Sequence, residues 1–339
     1  MAEVWTDAGW HLYQFDFAAG MSEWLPVSET QFRTASFLDQ RLLAATAVPL
    51  RIPLEQMHHL TAGRATTTAN FIFHIGHCGS TLLSRALAAT KTVLPVREPL
   101  TLRQLSKLQG ESPADEWMHY LQLALAAHSR GFRPGQASMI KATSTGNSLI
   151  RPIAELQPDS RMLLLYLRLE SFLAGMLGKQ APAQDLSGHA AARLLEWRAL
   201  TGQALAMPHR ELSESQLAVL SWLTGMARLL QAREQNGGQN SGQCLLLDFD
   251  EFLAAPETGL AQLTGFFRLE DSSREILQAW PEISLGYSKQ PDLPYSAFNR
   301  SRTLARGRMQ RSEEIRQGQD WAAGLIRQYP AFLACRDYF

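Results

Sequence analysis

The segment that most constrains the fold runs from Phe71 to Leu87 and reads FIFHIGHCGSTLLSRAL. A short apolar run comes first, then a turn of small residues, then leucines at helical spacing. This order predicts a strand, a tight loop and a helix. Backbone amides that open a helix point at one spot, and the helix dipole adds positive potential there. The segment therefore predicts a cradle for phosphate or sulfate, in which Gly76 and Gly79 let the backbone approach and Ser80 and Thr81 add hydroxyl donors.

Further apolar runs follow at intervals and are separated by helical patterns. The runs are Thr92 to Val96, Ala137 to Ile140, Met162 to Leu167 and Cys244 to Leu247. Strands that alternate with helices predict an α/β fold, with a central, mostly parallel sheet covered by helices on both faces. Ligands of such sheets bind beyond the carboxyl ends of the strands. The polar residues expected at that edge, besides the loop, are Glu98, Lys141, Arg168 and Asp248.

The loop lacks the residue that marks ordinary ATP and GTP hydrolases. A Walker A loop has lysine after its last glycine, and here Ser80 follows Gly79. This lowers the expectation of an NTPase. The plainer alternative is a strand-to-helix turn with a serine N-cap and no ligand.

The segment Gly76 to Leu83 resembles the loop of sulfotransferases that use 3′-phosphoadenosine 5′-phosphosulfate (PAPS), usually Pro-Lys/Arg-Ser-Gly-Thr-Thr and an apolar residue. Lys141, then Pro158 to Arg161 leading into Arg168, resembles that family's substrate-loop lysine, turn and 3′-phosphate arginine. Leu245 to Leu269 resembles a later passage of the family. The order agrees over roughly residues 70 to 270, and the chain looks closest to tyrosylprotein-sulfotransferase-like and small bacterial sulfotransferase-like proteins.

The resemblance implies a three-layer sandwich similar to P-loop NTPases, PAPS as co-substrate and no metal. It implies Glu98 as general base, Lys141 at the bridging oxygen and sulfuryl group, and catalytic roles for His77 and Ser288. Donor-binding roles are implied for Gly76, His77, Cys78, Gly79, Ser80, Thr81, Leu82, Arg168, Ser171, Lys289 and Arg306. The acceptor is expected to be a small molecule, a peptide or a carbohydrate.

Two positions depart from the family's pattern. His77 stands where the family has lysine or arginine, and an ordinary histidine is charged only near or below its pKa of about 6.5. Met176 stands where the family often has serine. Ser171, or the basic residues between Arg300 and Arg308, are the expected substitutes at the 3′-phosphate. Leaving-group stabilisation is accordingly expected to be weaker or to depend on pH.

Composition and the chain ends bound the remaining expectations. The 32 basic residues balance 32 acidic ones, which argues against nucleic acid or an anionic membrane as partner. Three widely spaced cysteines, the absence of a secretory signal and the absence of a bilayer-length apolar run predict a cytoplasmic protein.

Residues 1–65 are expected to be an N-terminal extension packed on a domain of residues 66–339. That domain is expected to carry a helical insert at about 186–236 and a basic segment at about 288–311. The sequence does not predict the oligomeric state.

Two other functions stay open. A P-loop kinase or other phosphotransferase would hold magnesium with Asp248 or Asp250. A non-catalytic relative would keep the fold with a decayed donor site.

Overall fold

The computed structural model describes residues 2–39, 48–61, 68–179, 182–235, 242–286 and 297–339. The eight strands in these ranges are β1 Trp10–Asp16, β2 Met21–Pro26, β3 Leu50–Pro53, β4 Asn70–His74, β5 Val93–Arg97, β6 Ala137–Lys141, β7 Met162–Tyr166 and β8 Cys244–Asp248. The α-helices are α1 Ala2–Thr6, α2 Glu29–Thr34, α3 Leu54–Thr61, α4 Ser80–Leu87, α5 Leu100–Leu108, α6 Ala114–His128, α7 Ile150–Leu156, α8 Leu169–Leu177, α9 Pro182–Thr201, α10 Glu214–Gln235, α11 Phe249–Ala254, α12 Pro256–Phe266, α13 Ser273–Leu285, α14 Ala297–Gln310 and α15 Ser312–Gln328.

The central sheet has five parallel strands in the order β5-β6-β4-β7-β8. After β4 the chain steps outward to β5, then returns and advances through β6, β7 and β8. Right-handed crossovers therefore place α4 on one face and helices α5 to α10 on the other. Every residue of β7 is buried, as expected for a strand covered on both faces. The predicted three-layer α/β class is confirmed.

A second sheet is antiparallel and lies in the N-terminal part, in the order β1-β2-β3. The N-terminal part is held to the central domain by Arg130, whose guanidinium donates to the carbonyls of Val4 and Asp7 at 2.7 and 2.8 Å. The same group stacks 5.4 Å from the ring of Trp24. The predicted boundary near residue 65 lies among residues 62–67, outside the described ranges, and stays a prediction.

Helices α9 and α10 occupy the segment that is expected to be a helical insert. Within the expected insert, α10 packs on the sheet, where Trp222 donates its indole N–H to the carbonyl of Leu167 at 2.8 Å. None of the helices in the described ranges has the length and apolar character needed to cross a membrane.

Candidate functional site

The loop between β4 and α4 has an unusual backbone. Gly76, His77 and Gly79 all have positive φ, at 90°, 52° and 76°. Gly79 has no room for a side chain, because an added Cβ would lie 2.0 Å from the ring of Phe249. Gly79 is also the N-cap of α4, and no side chain in the described structure caps this helix. The first amides of α4, which lack partners inside the helix, are thus turned toward a ligand position.

His74 fastens this loop to the sheet. Its ring is buried, its Nδ1 accepts the N–H of Gly76 at 3.0 Å, and its Nε2 lies 3.0 Å from the carbonyl oxygen of Ala142. A ring that accepts at Nδ1 and donates at Nε2 is neutral. His74 is therefore a structural histidine that fixes the start of the loop.

The loop opens into a cavity of about 430 Å³. Eight of the sequence-predicted residues line it: Gly76, His77, Gly79, Ser80, Thr81, Glu98, Lys141 and Ser171. Met176, the predicted departure from the family pattern, also lines it. Residues that the sequence did not single out complete the lining, among them Lys179, Phe249 and Phe37. Ser288 and Lys289 lie outside the described residues.

Glu98 and Lys141 form an ion pair at the ends of neighbouring strands. The Glu98 backbone has φ 52°, and its N–H donates to the carbonyl of Lys141 at 2.7 Å. Lys141 is only 1% exposed, and its ammonium lies 5.9 Å from the ring centre of Phe37. A positive φ at a non-glycine residue is strained and is held by its surroundings. The pair is therefore fixed in position beside the loop.

Cys78 and Leu82 are buried, and neither of them lines the cavity. The Cys78 thiol packs 3.5 Å from the carbonyl oxygen of Leu165, and burial raises its pKa to about 12. A thiol with such a pKa is protonated at neutral pH and is a poor nucleophile.

Lys179 reaches the loop from the chain just after α8. Its Nζ lies 2.9 Å from Nδ1 of His77. The sequence offered no motif for it, because it follows a helix end with no strand or glycine turn beside it. A cation therefore stands next to the loop residue at which the resemblance expects one.

The arginines that the sequence singled out are engaged with protein groups. Arg168 is half exposed and lies 3.6 Å from Asp248, outside the cavity lining. Arg306 is exposed and donates to the carbonyl of Gly178 at 2.8 Å, also outside the lining. Arg300 does line the cavity, where it pairs with Asp250 and lies 5.5 Å from the ring centre of Phe249. Among the arginines of the basic segment that the structure describes, Arg300 lines the cavity and Arg306 does not.

The two aspartates expected to hold magnesium in the phosphotransferase alternative already have protein partners. Asp248 caps α11 by accepting the N–H of Asp250 at 2.8 Å, and burial raises its pKa. Asp250 pairs with Arg300. No group of three or more His, Cys, Asp or Glu side chains comes together among the residues that the structure describes.

A buried arginine supports the cavity wall beside Gly76. Arg193 of α9 is 2% exposed and donates to the carbonyl and the hydroxyl of Ser144, at 3.1 and 3.0 Å. Ser144 lines the cavity next to Gly76, whose absent Cβ would lie 3.4 Å from it. Arg193 therefore positions a wall residue without reaching the cavity itself.

Comparison with known proteins gave matches among solved structures only; no family model and no curated protein matches the chain. A sulfotransferase domain from the curacin biosynthetic pathway aligns with a TM-score of 0.44 and 14% identity, over 77% of this chain and 99% of that one. A sulfotransferase domain from the Synechococcus olefin synthase gives 0.40 and 15%, over 77% and 96%. A sulfotransferase from Mycobacterium tuberculosis gives 0.39 and 14%, over 63% and 71%. Similarity at this level assigns no activity to the chain.

Proposed function

We propose that this chain is a sulfotransferase that moves a sulfuryl group from PAPS to an acceptor hydroxyl by in-line attack. The observation that carries the proposal is the meeting of three groups in one cavity. These are the open N-terminus of α4, the carboxylate of Glu98 and the ammonium of Lys141. Sulfuryl transfer needs cations and amide donors where charge develops, and a base for the acceptor proton.

In the proposed reaction the acceptor oxygen forms a bond to sulfur while the bond from sulfur to the donor's bridging oxygen breaks. The acceptor proton moves to the carboxylate of Glu98, and the bridging oxygen keeps the electron pair. The amides of Ser80 and Thr81 hold the 5′-phosphate that carries this oxygen. Lys141 serves both partners, because its ammonium contacts Glu98 and has further N–H donors for the sulfuryl group.

The nucleoside end of the donor is proposed to extend toward Phe249, beside which Arg300 lines the cavity. Binding roles for Arg168, Ser171, Arg306, Ser288 and Lys289 stay predictions. So does the acceptor class of small molecule, peptide or carbohydrate. The phosphotransferase alternative gains no support, since the carboxylates of Asp248 and Asp250 are both engaged.

The test is transfer of radiolabelled sulfuryl from PAPS to a panel of hydroxyl acceptors, followed by the same assay on Glu98→Gln. We expect Glu98→Gln to lose about 100-fold or more in kcat, because general base catalysis contributes about that much. Binding of the product adenosine 3′,5′-bisphosphate should stay within about threefold. Glu111→Gln, an exposed glutamate outside the cavity, is the matched control and should leave both values unchanged.

Two results would reject different parts of the proposal. Full transfer activity in Glu98→Gln would reject this residue as the base while leaving the activity in place. A wild-type protein that neither transfers sulfuryl nor binds adenosine 3′,5′-bisphosphate would reject the activity itself.

A further inference from the structure

His77 and Lys179 form a pair at the centre of the loop. The ring of His77 is exposed on a residue with φ 52°, and Lys179 Nζ is 2.9 Å from its Nδ1. Both residues line the same cavity as Ser80 and Thr81. The ammonium of Lys179 is therefore within hydrogen-bond distance of a loop side chain and lines the cavity into which the loop opens.

The chemistry of this contact fixes the state of the histidine. An ammonium has donors and no acceptor, so Nδ1 must be the acceptor and the ring proton sits on Nε2. A neighbouring positive charge also disfavours a second proton on the ring. His77 is thus a neutral donor through Nε2, and the permanent positive charge at the loop belongs to Lys179.

Close helix packing sets the position of Lys179. At Gly178 an added Cβ would lie 2.3 Å from the carbonyl oxygen of Thr303, and at Gly307 it would lie 2.1 Å from that of Ala174. These two glycines let α14 lie directly against the end of α8. Arg306 adds a hydrogen bond to the carbonyl of Gly178, the residue before Lys179. The backbone that carries the lysine is therefore held by two helices.

We propose that Lys179 is a donor-binding residue that supplies the cation missing at position 77. Its ammonium contacts the anion seated on the loop amides, beside the Nε2–H of His77. This inference rests on the proposed function for the identity of the donor, although its chemistry requires only a phosphate or sulfate group on the loop. It also removes the expected dependence of the loop charge on histidine protonation.

The first test is calorimetric binding of two probes, adenosine 3′,5′-bisphosphate and inorganic pyrophosphate, to the full-length protein. Lys179→Met should bind both probes about 10- to 100-fold more weakly, the range for losing a hydrogen bond from a charged group. Lys107→Met removes an exposed lysine of α5 outside the cavity lining and should bind like the wild type. Equal binding by Lys179→Met and the wild type would overturn the inference.

The second test separates a charge at the loop from a merely structural lysine. The phosphate groups of the probes titrate at about pH 6 themselves, so the measure is the ratio of wild-type to Lys179→Met affinity at each pH. In Lys179→Met the histidine is relieved of the adjacent cation, so this ratio should fall as the pH falls toward about 6. Adding His77→Lys to Lys179→Met should restore affinity to within about fivefold of the wild type. A weakened variant that shows neither the pH response nor the rescue would overturn the inference.

The two probes distinguish failure of this inference from failure of the proposed function. If the wild type binds pyrophosphate but not the bisphosphate, the proposed donor is wrong and the pyrophosphate data alone decide the role of Lys179. If the wild type binds neither probe, both proposals are overturned.

Discussion

The phosphate loop and the arginines around it are held in different ways. The geometry of the loop with Glu98 and Lys141, which we call the loop end, is set by packing and by backbone conformation, with Gly79 against the ring of Phe249 and Glu98 held at positive φ beside Lys141. The arginines Arg168, Arg300 and Arg308, which we call the arginine end and of which Arg300 lines the cavity, are held by acidic side chains. Arg168 faces Asp248, Arg300 pairs with Asp250, and Arg308 pairs with Glu170 at 2.8 Å.

This difference determines which part of the site can bind a phosphate without rearrangement. The loop amides need no rearrangement to receive a phosphate. An arginine that already pairs with a carboxylate must exchange that partner before it binds a phosphate, and the exchange lowers the net gain. We therefore expect substitutions at the loop end to remove function, and substitutions of the competing carboxylates to strengthen binding.

The largest effect should come from Gly79→Ala at the loop end. The new Cβ would meet the Phe249 ring at 2.0 Å, and alanine is also strained at φ 76°. Together these should lower the free energy of unfolding by about 2 to 5 kcal/mol. Adenosine 3′,5′-bisphosphate binding should fall sharply in the same variant.

Gly110→Ala is the matched control for this substitution. Gly110 also has positive φ, 87°, but nothing lies within 4 Å of an added Cβ. The free energy of unfolding of Gly110→Ala should fall by about 1 to 2 kcal/mol, the cost of the backbone strain alone, and its ligand affinity should not change. Urea denaturation measures both. Equal losses in the two variants would show that the Phe249 contact does not fix the loop.

An intermediate effect of opposite sign should come from Asp250→Asn at the arginine end. Without this carboxylate, Arg300 no longer has to leave an ion pair to meet a phosphate. Adenosine 3′,5′-bisphosphate should bind about 3- to 10-fold more tightly. Adenosine 5′-monophosphate should change little. Calorimetric titration measures both ligands, and Asp320→Asn, which breaks an exposed pair with Arg316, serves as control. Weaker bisphosphate binding by Asp250→Asn would show that Arg300 does not exchange Asp250 for a phosphate.

The smallest effect should come from Asp248→Asn and should depend on pH. Burial raises the pKa of Asp248, so the folded state holds this proton more tightly than the unfolded state. The stability that the protonated Asp248 carboxyl contributes is complete below the ordinary pKa of about 3.9. It is lost as the pH rises through the raised pKa of the folded state. Asparagine caps a helix as well as aspartate. Asp248→Asn should therefore gain stability relative to the wild type from pH 4 to pH 7, within about 1 kcal/mol. A gain that shrinks with rising pH would contradict this sign.

The sequence predicted the loop end because its information is local. A strand, two glycines and a helix start lie within 17 residues, from Phe71 to Leu87, and the structure has β4, the loop and α4 there. Glu98 and Lys141 were placed by a rule of parallel sheets, in which polar residues after neighbouring strands meet at one edge. The predicted strands before them match β5 and β6 to within one residue.

The remaining features depend on contacts between distant parts of the chain. Lys179 and Phe249 reach the cavity only because α14 packs against α8 and because α11 turns back over Gly79. No spacing along the sequence records these contacts. The N-terminal sheet escaped prediction for another reason. Its first strand changes register between Leu12 and Gln14, which breaks the alternation of buried and exposed residues that marks a strand.

Binding of the phosphates of PAPS by the loop and its cations is tested most directly by calorimetric titration of the wild type with adenosine 3′,5′-bisphosphate and with ADP, each with and without magnesium. We predict that the bisphosphate binds without magnesium and at least about tenfold more tightly than ADP. Binding of ADP only in the presence of magnesium, with no binding of the bisphosphate, would contradict the proposed donor site.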